Sequence, residues 1–153
     1  MAKVYLETSF FSAAVSTRTS DKIAGWRASS LEFWDTRARE HELFVSDEVI
    51  AELSDAKFQN AEAALRMVRN LAVLALNEEV LSFAELLVAK RAMPGPALSG
   101  DAVHVATAAW YRMDYLMTWN VRHLANPNKR THLAITCMSA DLVAPVMVTP
   151  DML

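Results

Sequence analysis

The chain has 153 residues, 53% of them hydrophobic, a net charge of −3 and a single cysteine, Cys137. These values describe one domain with enough apolar side chain for its own core. They exclude a disulfide scaffold, a cysteine-based metal cluster and a protein that holds polyanions by bulk positive charge.

The amino-terminal run is broken at Glu7 after only a few apolar residues. It reads as neither a signal peptide nor a membrane span, and a soluble, cytoplasmic protein is expected. Val4 to Leu6 reads as a short buried strand, followed by Thr8 or Ser9 as a helix cap before Phe10, Phe11 and Ala13. From Asp21 to Glu40 apolar residues recur at helical spacing (Ile23, Trp26, Leu31, Trp34, Ala38), which predicts one long helix. This segment carries more apolar surface than one small sheet needs. Leu43 to Val45 is a second strand, and Ser46 or Asp47 caps a helix with Val49, Ile50 and Leu53. A helix from Gln59 to Asn70 leads into a third strand, Leu71 to Leu76. Glu78 to Lys90 is helical and stops at the turn Met93-Pro94-Gly95-Pro96. Asp101 begins a helix running to about Arg112, Tyr115 to Thr118 is a fourth strand, and Val146 to Val148 is a fifth at the edge. No linker, repeat or low-complexity tract divides the chain, so residues 1–153 read as a single domain. Strands separated by helices predict a parallel sheet of four or five strands, covered by helices on both faces.

In such a sheet ligands sit beyond the carboxyl ends of the strands, and an acid just past an apolar strand stands where chemistry is done. Glu7 is such an acid, in V-Y-L-E-T-S. Asp101, in S-G-D-A-V-H-V-A-T-A-A, suits an N-cap or first-turn position, where the helix dipole favours negative charge, and that role is compatible with holding a ligand. Asn120 ends the apolar run Y-L-M-T-W-N. His104 lies inside an apolar helix and is expected to be a hydrogen-bonded core histidine, with Trp119 packed on the sheet. Cys137 is expected to be a buried small hydrophobe. The segment holding Arg112, Arg122, His123, Lys129, Arg130 and His132 contains, apart from Asp114, no acid before Asp141. It is either a solvated loop face or a surface for RNA.

In order along the chain, these strings resemble the motifs of PIN-domain proteins, and specifically of VapC-type toxins from bacterial toxin-antitoxin pairs. The resemblance spans nearly the whole chain. An acid ending the first strand before Thr or Ser matches Glu7 in L-E-T-S. A second acid inside the helix after the second strand matches Glu52 in S-D-E-V-I-A-E-L. A third, opening a D-A-hydrophobic-H-hydrophobic-A-T-A helix, matches Asp101 with His104 and Thr107. The T-x-N form of the fourth motif matches Asn120 after Thr118 and Trp119. Glu7 stands where Asp is usual, and neutral Asn120 stands where many members carry Asp. A branch of the family shares T-W-N-x-x-H, here Thr118 to His123, and a closing string like V-T-P-D-M-L.

The resemblance implies a PIN-like three-layer α/β/α sandwich and a metal-dependent endoribonuclease with catalytic residues Glu7, Glu52, Asp101 and Asn120. It also implies a cognate antitoxin, and a homodimer built on the early helices. The residue chemistry agrees: Mg²⁺ and Mn²⁺ prefer hard oxygen ligands, which Glu7 and Asp101 would supply with Glu52 beside them, and Asn120 would give a neutral oxygen or orient a water. Three carboxylates converging without a cation would repel one another. Arg112, Arg122, Lys129 and Arg130 are the expected RNA contacts. The other reading is a degenerate PIN module that binds RNA or a protein partner without cleaving. A phosphatase on a similar sheet would need a D-x-D nucleophile or Gly-rich phosphate loop, and neither is present.

Overall fold

A computed structural model describes residues 1–120, 124 and 126–153. Five strands form one sheet, all parallel: β1 (Lys3–Leu6), β2 (Glu42–Ser46), β3 (Ala72–Leu74), β4 (Tyr115–Met117) and β5 (Val146–Val148). Their spatial order is β3-β2-β1-β4-β5. The chain therefore winds outward from β1 to β3, then crosses to β4 on the other side of β1. The gap between the carboxyl ends of β1 and β4 is the point where the winding reverses, which is where open parallel sheets bind ligands. The register sets Leu6 beside Met117, so Glu7 and Thr118 leave their strands side by side.

Between the strands lie α1 (Thr8–Ala14), α2 (Asp21–Glu32), α3 (Asp47–Leu53), α4 (Ala61–Val68), α5 (Glu78–Ala89), α6 (Asp101–Trp110) and α7 (Pro127–Ser139). Right-handed crossovers set α1–α4 on one face and α5–α7 on the other, and α1 packs against α2 and α4 while α5 packs on α6. The central strands are buried on both sides: Val4, Tyr5 and Leu6 are fully buried, as are Leu116 and Met117. Short polar side chains start the helices, Ser20, Ser46, Asn77 and Asn126 each accepting from a backbone N–H of the first turn.

Three local expectations differ from the structure. The segment Asp21 to Glu40 is not one regular helix, because α2 passes into a π-type turn (Phe33–Arg37) and a short 3-10 turn (Ala38–Glu40). The cap of α1 is neither Thr8 nor Ser9 but Glu7, whose carboxylate accepts from the Ser9 N–H. Finally, α7 occupies residues that read as a basic loop. Among the described residues no helix is long and apolar enough to cross a membrane.

Candidate active site

Glu7 is almost completely buried at 6% exposure, and its side chain is held by hydroxyls from both sides of the β1–β4 gap. Its Oε2 accepts from Ser9 Oγ at 2.5 Å, from Ser9 N at 3.1 Å and from Thr118 Oγ1 at 2.8 Å. Ser9 Oγ in turn accepts from the Trp119 N–H at 2.8 Å, and Thr118 Oγ1 accepts from the Asn120 N–H at 2.9 Å. One oxygen of Glu7 is thus saturated. The other, Oε1, lies 3.9 Å from His104 Nε2.

Glu52 reaches the same place from α3. Its Oε1 accepts from Thr8 Oγ1 at 2.9 Å and makes a short hydrogen bond with His104 Nε2. Behind it a polar chain runs into the core, from His104 Nδ1 to Tyr5 Oη and on to Ser46 Oγ at 2.7 Å each. All three residues are fully buried. His104 is the hydrogen-bonded core histidine expected from its helix, but one of its partners is Glu52, an acid of the site.

The electrostatics follow from this packing. Burial alone would lower the His104 pKa, yet the Glu52 bond and the charges of Glu7, Glu52 and Glu48 raise it. Burial alone would raise the Glu52 pKa, yet the bonds from His104 and Thr8 and the His104 charge lower it. Burial keeps the Tyr5 hydroxyl well above its usual value, against the Ser46 bond and with the nearby carboxylates adding to the rise. The acids and the imidazole therefore favour each other's charged forms, Glu52 through its bond to His104 and Glu7 through its charge.

Glu48 is a further acid at this site, one turn before Glu52 on α3 and 9% exposed. Its pKa is raised, first by burial and then by the Glu52 charge, with His104 and the Gly100 N–H pulling the other way. Gly100 turns the chain into α6 at φ +76°, a conformation that favours glycine. The spacing of Glu48 and Glu52 at i and i+4 on one helix face was the signal for this residue.

Asp101 opens α6 after Gly100, so it is a first-turn acid and not the cap. Its carboxylate accepts from Asn120 Nδ2, at 3.2 Å on Oδ2. Asn120 thus presents its amide nitrogen to Asp101 and not a free oxygen. The four expected residues form two groups at one sheet edge, an inner pair of Glu7 and Glu52 around His104 and an outer pair of Asp101 and Asn120. Among the described residues no three acidic, His or Cys side chains form a ready metal cage. The donor chemistry nevertheless suits Mg²⁺ or Mn²⁺, since Glu7, Glu52 and Asp101 offer only hard oxygens and Mg²⁺ commonly takes one or two carboxylates with several waters.

The expected RNA contacts separate. Lys129 and Arg130 stand exposed in the first turn of α7, beside an apolar cavity of about 180 Å³ that includes Leu133 and Met147. Arg112 lies at the opposite end of the molecule. It follows α6, which carries the chain back to the amino end of β4, and there the Asp114 carboxylate accepts from the Lys3 N–H. It does not border the acidic site. Arg122 lies outside the described residues. Trp119 stacks on Trp26 with ring centroids 5.0 Å apart.

No family model matches the sequence, and no curated protein matches it. Solved structures do. Over 96% of this chain and 98% of the other, it superimposes on VapBC2 from Rickettsia felis, solved with a DNA fragment from its promoter, with a TM-score of 0.60 and 16% identity. VapBC-1 from nontypeable Haemophilus influenzae covers 97% and 98% with a TM-score of 0.59 and 15% identity. VapC20 from Mycobacterium tuberculosis, a toxin cleaving the sarcin-ricin loop, covers 84% and 94% with a TM-score of 0.57 and 14% identity. The chain has the VapC fold. In this fold Glu7 follows the carboxyl end of β1, Glu52 lies in α3 after β2, and Asp101 opens α6.

Proposed function

We propose that the protein is a metal-dependent endoribonuclease and acts as the toxin of a cytoplasmic toxin-antitoxin pair. The observation that carries this reading is that Glu7 and Glu52 meet around His104 at the winding reversal of a VapC-like sheet, with Asp101 tied through Asn120 to Thr118, which also holds Glu7. Glu7 Oε1 and the Asp101 carboxylate are the groups that would hold Mg²⁺ or Mn²⁺. Bound there, the ion would activate a water and offset charge on the phosphate. Ser9 and Thr118 fix the Glu7 carboxylate, so that only Oε1 is left to bind. Thr8 and His104 favour the ionised form of Glu52, whose carboxylate would accept a hydrogen bond from the attacking water and orient it. Asn120 orients Asp101. Lys129 and Arg130, with Arg122, would contact the RNA backbone.

An antitoxin is the expected partner, since two of the similar structures are VapBC assemblies. We also propose a homodimer. Much of the apolar surface of the Ile23 to Ala38 segment that suggested this role is used within the chain: Trp26 lies on Trp119, Phe33 is buried, and Trp34 packs against Phe10 and Phe11. Light scattering at micromolar concentration tests the dimer.

The second reading is a PIN-like module that binds without cleaving, and it is favoured by the orientation of Asn120, whose amide nitrogen is turned to Asp101. Incubation of total RNA with purified protein separates the two. Cleavage that needs added Mn²⁺ or Mg²⁺, stops in EDTA and disappears in Asp101→Asn supports the nuclease. Binding without cleavage under every metal condition supports the module.

A further inference from the structure

Next to the acids lies a cavity of about 350 Å³, bounded by α1, the α1–α2 loop, α2 and the loop joining α3 to α4. Its size falls within the range of about 300–1,000 Å³ typical of ligand pockets. Two cations face it, Arg18 and Lys57, together with the hydroxyls of Ser12 and Ser16 and the rings of Trp26 and Phe58. Among the described residues no acidic side chain lines it. In a chain of net charge −3 this is a local reversal of sign. Among the described residues neither cation takes part in an ion pair.

The cavity and the acids share a wall. Ser9 lines the cavity and also donates its hydroxyl to Glu7 Oε2. Trp26 is fixed by its stack on Trp119, whose indole N–H donates to Ser30 Oγ at 2.8 Å and whose backbone N–H donates to Ser9 Oγ. Whatever fills the cavity is therefore held by the same frame that positions Glu7. Aromatic rings for base stacking beside cations for phosphates make up the recognition chemistry of single-stranded nucleic acid, and only an unpaired, splayed-out base can enter such a recess.

We propose that this cavity is a nucleotide subsite for a single-stranded RNA substrate. A base stacks on Phe58 against the Trp26 wall, Arg18 and Lys57 hold its flanking phosphates, and the next phosphodiester is delivered to Glu7. The subsite rests on the ribonuclease reading and names the strand form of its substrate.

Binding of a short fluorescein-labelled RNA in EDTA, followed by anisotropy between about 50 and 200 mM salt, tests the subsite apart from cleavage. Each phosphate contact on a single strand adds about 0.7 to the salt slope, so the Arg18→Ala/Lys57→Ala double variant should bind with a slope shallower by about 1.4. The Arg39→Ala/Arg69→Ala variant, which removes the same charge at the amino end of the sheet, should keep the wild-type slope. Phe58→Leu keeps an apolar side chain without a ring and should weaken binding about fivefold or more. Fully paired RNA should bind more weakly than the single strand. Wild-type slope and affinity in the Arg18/Lys57 variant, with metal-dependent cleavage by the wild type intact, would overturn the subsite while leaving the nuclease reading in place. If that variant binds RNA normally but loses self-association, the cavity is a protein contact and the subsite is wrong. A wild type that neither binds nor cleaves RNA would overturn both.

Discussion

Replacing Thr118 with Val tests whether Glu7 is positioned by design of the β1–β4 gap. Thr118 is fully buried, and Val matches its shape while removing the hydroxyl. Two hydrogen bonds are lost together, the one donated to Glu7 Oε2 at 2.8 Å and the one accepted from the Asn120 N–H at 2.9 Å. A bond to a carboxylate is worth about 1.5–3 kcal/mol and an orphaned buried N–H costs about 1–3 kcal/mol, while the added methyl returns about 0.8 kcal/mol. The net loss is about 2–5 kcal/mol, which for a domain of this size lowers the Tm by roughly 4–20 °C. Thermal unfolding in EDTA, followed by circular dichroism, measures it. Thr118→Ser keeps the hydroxyl and should recover most of the loss. Wild-type protein should gain stability from Mn²⁺ by mass action, about 2.7 kcal/mol at a hundredfold excess over Kd, and Thr118→Val should gain less because Glu7 is no longer held. A Val variant that melts with the wild type, or a Ser variant that melts as low as Val, would refute the hydroxyl cradle.

Tyr5→Phe removes the hydrogen-bond partner of His104 Nδ1 and should cost about 1–3 kcal/mol, lowering the Tm by about 2–12 °C; an unchanged melt would break the proposed chain from Glu52 to Ser46. Glu48→Gln keeps an oxygen for the Gly100 N–H and deletes a charge repelled by Glu52. Because the Glu48 pKa is raised, its charged form opposes folding above its unfolded value of 4.5, and the variant should melt higher in EDTA at neutral pH, by roughly 2–4 °C for each kcal/mol relieved. For the wild type in EDTA the His104–Glu52 pair sets a pH window. The raised His104 pKa contributes stability fully below 6.5 and loses it as pH rises through the folded value, whereas the lowered Glu52 pKa contributes above 4.5 and loses it as pH falls through its folded value. Their joint contribution should therefore peak between these limits, and His104→Gln should flatten the upper side; urea midpoints that decline equally in both proteins would contradict the pairing.

The alternation of strands and helices was legible because each central strand is a short apolar run and each helix after it starts with a polar cap. Glu7 could be located for the same reason, although its role as the cap of α1 could not, since Thr8 and Ser9 are the commoner capping residues. The helix α7 was hidden by composition, as Lys129, Arg130, Thr131 and His132 interrupt any apolar stripe. Asn126 followed by Pro127 was the available signal, a capping side chain before a proline in the first turn. Arg112 failed as a site residue for a topological reason: α6 runs antiparallel to the strands, so eleven residues at about 1.5 Å each separate it from Asp101 by the depth of the sheet. Nor could the Trp26–Trp119 stack or the Arg18–Lys57 cavity be read from spacing, because each joins segments distant in sequence.

The arrangement of charge bears on how acids come to be buried beside one another here. A helix whose first turn faces the carboxyl edge of the sheet exposes its opening acid and buries what lies one turn further in, and α6 does this with Asp101 and His104. His104 then meets Glu7 and Glu52 from below, with its far nitrogen tied to Tyr5 and Ser46 in the core. Each inner acid is held through one oxygen by short polar groups, Ser9 and Thr118 for Glu7 and Thr8 with His104 for Glu52. The negative charge that remains is directed away from the core, toward Asp101, Asn120 and the wall of the Arg18–Lys57 cavity. A site built this way sets the buried His104 imidazole against the inner acids, whose charges favour its protonated form, and it leaves the outer carboxylate oxygens for whatever cation or water the chemistry requires.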